Sequence, residues 1–196
     1  MGMRTARFLT WFALVVVLAT DVAYLLVIRA QGGADPTTVY TVPFVAGYLV
    51  VMAATLAASL MRWTPAVAVL PLRAAAAGGQ LVLGLFAIFS IGLPLLVAGS
   101  MSGAAALFTL GGSQLKSSAL VGFGAAAIAV AVLVAGFTVT AGIIVCPAQG
   151  SMSGGGTRLL TGPYYYDCVN GELTYHSGSC NSGSTDAGGN VSHPGC

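Results

Sequence analysis

Long apolar runs separated by short polar breaks fill the chain as far as Cys146, after which Gly, Ser, Asn and Tyr take over. The longest run, 119–145, reads ALVGFGAAAIAVAVLVAGFTVTAGIIV and lies in a stretch with no acidic or basic residue between Lys116 and Arg158. As a helix its 27 residues would reach about 40 Å, against a hydrocarbon core of roughly 30 Å, so it predicts a transmembrane helix. Three earlier runs of the same kind, 8–28, 40–61 and 74–100, predict three more. The expected fold is an all-α membrane protein: a four-transmembrane-helix bundle over 1–146 and a small Gly/Ser/Cys-rich tail over 147–196.

The breaks between the runs refine this picture. The first apolar run is longer than the 7–15 residues typical of a signal-peptide core, which predicts a retained anchor. Gly32-Gly33 and Asp35-Pro36 mark a turn, and Pro43 stands near the start of the second run, where a helix tolerates it. Pro65 and Pro71 argue for a loop over 62–73 that is bracketed by two arginines, with Trp63 at interface level. Pro94 falls inside the third run and predicts a kink. The stretch 101–118 is too short in its apolar part, Gly103 to Leu110, to cross by itself. It reads as an interfacial loop or half-helix, or else as a re-entrant segment.

In the tail, Gly154-Gly155-Gly156 and the serines beside them predict a flexible linker over 148–156. Two strand-like runs, 164–168 and 172–176, flank Asn170-Gly171, the dipeptide suited to a type I′ turn, and predict a β-hairpin. Tyr164, Tyr165, Tyr166 and Tyr175 are expected to cover a face of that hairpin or to lie on an interface. Residues 181–196 have no apolar period and are expected to be coil unless a cross-link holds them.

Composition agrees with a membrane solvent: 57% of residues are apolar, 6% are charged and the mean hydropathy is +0.90. A net charge of +2 from so few ionisable groups gives no field for nucleic acid. Arg exceeds Lys six to one and Ala, Gly and Val dominate, as in GC-rich bacterial coding, so the expected location is a bacterial plasma (inner) membrane. With four spans, Arg4, Arg7, Arg62, Arg73 and Arg158 fall on one side and Arg29 and Lys116 on the other. Five against two predicts both termini in the cytoplasm. The cysteines argue otherwise, because Cys146, Cys168, Cys180 and Cys196 are an even set in a Gly/Ser-rich module, the pattern of a disulfide-stapled extracytoplasmic segment. Four spans cannot satisfy both, and the side of the tail stays open.

Candidate chemistry is sparse. Asp21 is the one acidic residue in an apolar run, and an isolated intramembrane carboxylate costs roughly 2.5–3.5 kcal/mol on insertion scales. It therefore faces protein or water, either as a coupling carboxylate or as a polar contact to Thr20, Tyr24, Gln80 or a neighbouring chain. In placing an acid in its first run the chain resembles the small multidrug-resistance transporters, four-span proteins, and that resemblance implies ion or proton coupling through Asp21. Small residues recur on the last run at Gly122, Ala126, Ala127, Ala131, Ala135 and Gly136, which predicts a close helix-packing face. No C-x-x-C occurs among the cysteines, which disfavours redox catalysis. For an extracytoplasmic tail at least one disulfide among Cys168, Cys180 and Cys196 is expected, with Cys168–Cys180 favoured; free thiols are the alternative. Pairing of His176 with Cys180 and of His193 with Cys196 leaves zinc conceivable, but the spacing assigns no metal site. No catalytic residue and no cofactor is expected. The expected partners are the lipid bilayer and other integral membrane subunits. The functional expectation is a non-catalytic accessory subunit of a larger envelope complex, such as a transporter or respiratory assembly. A small ion- or proton-coupled transporter using Asp21 is the alternative.

Overall fold

The computed structural model describes residues 2–31, 39–110, 115–140, 142–158, 162–177, 184–185 and 191–192. Among these residues there are five helices: α1 (Gly2–Ala30), α2 (Thr41–Leu60), α3 (Ala66–Phe86), α4 (Gly92–Leu110) and α5 (Leu115–Thr140). All five are long and apolar enough to span a membrane. Five strands follow: β1 (Ser151–Arg158), β2 (Gly162–Val169), β3 (Glu172–Ser177), β4 (Ser184–Thr185) and β5 (Val191–Ser192). The chain divides into two compact units, Met1–Ala34 with Thr41–Phe137, and Asp35–Tyr40 with Thr138–Cys196.

Five helices replace the expected four because the third apolar run is not one helix. Its first part joins the residues before it to make α3, and its last part joins the expected loop 101–118 to make α4, with a turn over 87–91 between them. Pro94 explains the break. Its ring removes a backbone donor and clashes one turn back in a helix interior, yet it fits the first turn of a new helix, where that donor has no partner anyway. Gly92 makes the turn tight enough: its N–H and that of Ser90 both bond the Ala87 carbonyl at 2.8 Å. A Cβ on Gly92 would collide with the carbonyl oxygens of Gly84 and Ala87. The expected loop at 62–73 also shrinks. Pro65 caps α3 in an extended conformation and Pro71 sits within its second turn, so Arg73 belongs to a helix.

In the first unit α1 packs against α2 and α4, and α3 against α2 and α4, so these four close a ring. One stripe of each faces inward: Thr10, Leu14, Val17 and Asp21 on α1; Leu49, Met52 and Leu56 on α2; Arg73, Gln80 and Leu83 on α3; Leu95, Ala98 and Ser102 on α4. Helix α5 lies outside the ring, over α2 and α3. Tyr48 Oη donates to the Ala129 carbonyl at 2.9 Å, Ala126 meets Gly78, and Phe137 makes edge contacts with Phe44 and Phe86 at 5.7 and 6.1 Å between ring centres. α5 runs to Thr140 rather than 145, and 142–147 is not helical.

In the second unit the expected hairpin is present. β2 and β3 pair antiparallel around Asn170-Gly171, both with positive φ (50° and 88°), as a type I′ turn requires. The expected linker is largely a strand: β1 pairs antiparallel with β2 from Ser151↔Val169 to Arg158↔Gly162. Glycine is the reason a strand forms there, because a Cβ at Gly154 would stand 2.8 Å from Cζ of Tyr166, whose ring lies across that position. β4 and β5 form a separate two-residue pair.

Candidate functional site

Several polar side chains of the first unit, among them Asp21, Arg73, Gln80 and Ser102, are buried inside the helix ring. Arg73 and Gln80 are seven residues apart on α3; Ser102 and Thr109 are seven apart on α4. Because a heptad returns close to the same helical face and the helices are joined by a tight turn, these residues form two rungs. At one rung Arg73 Nη1 donates to Thr109 Oγ1 at 3.1 Å and, at 3.5 Å, to the Ala105 carbonyl. Thr109 in turn donates to Ala105 at 2.6 Å. At the other, Ser102 Oγ lies 3.4 Å from Gln80 Oε1, although its proton is better placed on the Ala98 carbonyl at 2.9 Å. By helix rise the rungs are about 10 Å apart.

Among the described residues three buried side-chain atoms have no hydrogen bond: Arg73 Nε and Gln80 Nε2 in the rungs, and Asp21 Oδ1 on α1. Arg73 is 4% exposed, Gln80 fully buried and Asp21 8% exposed. Groups of this kind are rare in an apolar interior, since each unmade bond costs about 1–3 kcal/mol and more for a charge. Of the partners expected for Asp21, Thr20 donates to Val16 and Gln80 lies against Ser102, while Tyr24 is near enough to interact with it electrostatically. Arg73 and its rung were hidden from sequence reasoning by the two prolines that made its segment look like a loop. The heptad pairs Arg73/Gln80 and Ser102/Thr109 were the available signal.

The small residues of α5 divide between two faces. Gly122 lies over Leu70 and Ala74, Ala126 against Gly78 and Gly136 against the Phe44 ring, so these are used within the chain. Ala127, Ala131 and Ala135 are exposed on another face. Between α2, α3 and α5 is a largely apolar cavity of about 780 Å³, lined by Phe44, Met52, Pro71, Ile128 and Val132 among others. Tyr48 lines it too, but its hydroxyl is committed to Ala129. The cavity offers alkyl surface and no chemistry.

In the second unit Cys168 is bonded to Cys146, not to Cys180. The reason is the extra strand: Asn170 N–H bonds Gly150 O at 2.9 Å and Tyr175 Oη donates to Gly142 O at 3.0 Å, which lays 142–150 along the sheet and brings Cys146 to Cys168. Cys180, Cys196 and His193 lie outside the described residues. Tyr164, Tyr166 and Tyr175 share one face, with ring centres 6.3–6.4 Å apart. Tyr166 is buried there, and that burial, with Tyr164 and Tyr175 adding to it, raises its phenol above the ordinary 10.0. On the opposite face His176 Nε2 is 3.6 Å from Asp167 Oδ2, a half-exposed pair of small energetic weight. Among the described residues no group of three His, Cys, Asp or Glu side chains could hold a metal ion. Comparison with protein families, with curated proteins and with solved structures finds nothing similar to this chain.

Proposed function

We propose that this chain is a non-catalytic subunit of a larger assembly in a bacterial plasma membrane, crossing five times. The observation that carries the reading is the division of α5. Its inward face is filled by its own ring, while Ala127, Ala131 and Ala135 stand exposed at four-residue spacing. Small residues on an outer face leave a shallow groove that packs closely against a neighbouring helix, where lipid supplies no hydrophobic drive for association. Five crossings also remove the conflict between charge and cysteine. Arg4, Arg7, Arg62, Arg73 and Lys116 then fall on one side and Arg29 and Arg158 on the other. The first side is assigned to the cytoplasm, which puts the disulfide-bonded sheet outside, where such a bond persists.

The test is co-purification. A tagged copy solubilised in mild detergent is expected to bring down a multi-span assembly in fixed ratio. Ala131→Leu with Ala135→Leu should weaken that association while the chain still inserts, because added volume holds the helices apart. A monomer from native membranes that transports an ion by itself in vesicles would overturn the reading. One observation favours the second possibility, an ion- or proton-coupled transporter: the buried, unbonded Oδ1 of Asp21. Under that alternative Asp21→Asn abolishes a proton-driven flux at unchanged protein level; in a subunit it leaves complex yield nearly intact.

A further inference from the structure

We propose that Arg73 forms a binding site for a phosphate-class oxyanion at the end of the helix ring where α1 and α3 begin and α4 finishes. This site is independent of whether the chain is a subunit. Four observations converge on it. A guanidinium is always charged, and Arg73 is almost wholly buried, yet among the described residues no carboxylate stands within ion-pairing distance of it. A charge withdrawn from water with no counter-charge is strongly unfavourable, so a group of opposite sign completes it.

The second observation is the direction in which the guanidinium is open. Nη1 is engaged by Thr109 and Ala105, whereas Nε has no partner. Nε lies on the edge that a guanidinium shares with Nη2, and two parallel N–H groups of this kind match two oxygens of a phosphate in a bidentate pair. Third, the charge that acts on it is not a counter-charge but a second cation, Arg7 of α1, whose side chain is exposed. An anion at Arg73 offsets that like-charge repulsion.

The fourth observation is depth. Thr109, which anchors the guanidinium, is one residue from the end of α4. Side chains on a helix lean toward its N-terminus, which for Arg73 is toward this same end. Trp63, 82% exposed just before α3, marks the level of a membrane interface. The open edge is therefore within reach of a lipid headgroup phosphate and of a phosphate from solution, which share the chemistry recognised here.

The experiment uses the full chain in a mild non-ionic detergent, with two probes. Native mass spectrometry compares retention of phosphatidylglycerol with phosphatidylcholine, and thermal unfolding compares inorganic phosphate with chloride at equal ionic strength. Retention of phosphatidylglycerol roughly tenfold above phosphatidylcholine, reduced to parity in Arg73→Gln, would assign the site to lipid; Arg73→Lys, which keeps the charge but loses the fork, should fall between. Stabilisation by inorganic phosphate alone, lost in Arg73→Gln, would assign it to a solution anion. Should Arg73→Gln fail to accumulate, Arg7→Gln, at an exposed position, carries the comparison and is expected to lower whichever preference is seen. No preference for either probe in the natural chain, or a preference unchanged in these variants, overturns the proposal.

Discussion

At the scale of single residues, local chemistry was legible and distant chemistry was not. Asn170-Gly171 specifies its turn by its own backbone preferences, so the hairpin could be read directly from sequence. Gly154, by contrast, reads as flexibility, and its use depends on a tyrosine twelve residues away in the chain. Gly154→Ala is expected to force the Tyr166 ring aside and destabilise the sheet by about 1–3 kcal/mol, the usual cost of overpacking. Faster proteolysis of the tail, with the disulfide intact, would register it. Tyr166 makes a second prediction. Because its folded phenol titrates above 10.0, the native state favours the neutral form. Its contribution to stability is then fully present below that pH and is lost as pH rises through the raised folded value. Alkaline unfolding of the tail should therefore shift to higher pH in Tyr166→Phe.

At the scale of elements, apolar length is a good guide to the presence of helices and a poor guide to their number. The 37 residues from 74 to 110 contain one charge-free apolar pattern broken by nothing more conspicuous than Pro94 and six glycines. Hydropathy cannot tell one long kinked helix from parts of two. The deciding fact is steric: Pro94 fits a first turn, and Gly92 lets the returning chain lie on the carbonyls of Gly84 and Ala87. Moving that boundary also moves Arg73 and Thr109 from presumed loops onto facing helices, which is why the buried rung could not be seen in sequence. Gly92→Leu is expected to open the turn between α3 and α4 and break the Arg73–Thr109 rung. A lower yield of monodisperse protein on size-exclusion chromatography checks this. Equal yield would mean that the turn tolerates a side chain the described packing does not.

At the scale of the whole molecule, the number of crossings determines what the cysteines mean. Four crossings leave the arginines and the cysteines in contradiction, while five would put five of the seven basic residues inside and the Cys146–Cys168 bond outside. That bond closes a 22-residue separation, and cross-linking a loop of that size stabilises a fold by roughly 3 kcal/mol in chain-entropy terms. The measurement that tests this most directly is sided thiol labelling of intact cells with an impermeant reagent, using single cysteines in a background where all four native cysteines are serine. Five crossings predict that Met3→Cys and Arg62→Cys are protected until the membrane is permeabilised. Ser90→Cys, in the turn between α3 and α4, and Ser151→Cys, at the start of the sheet, should label from outside. Labelling of Met3→Cys and Ser151→Cys from the same side would contradict the account.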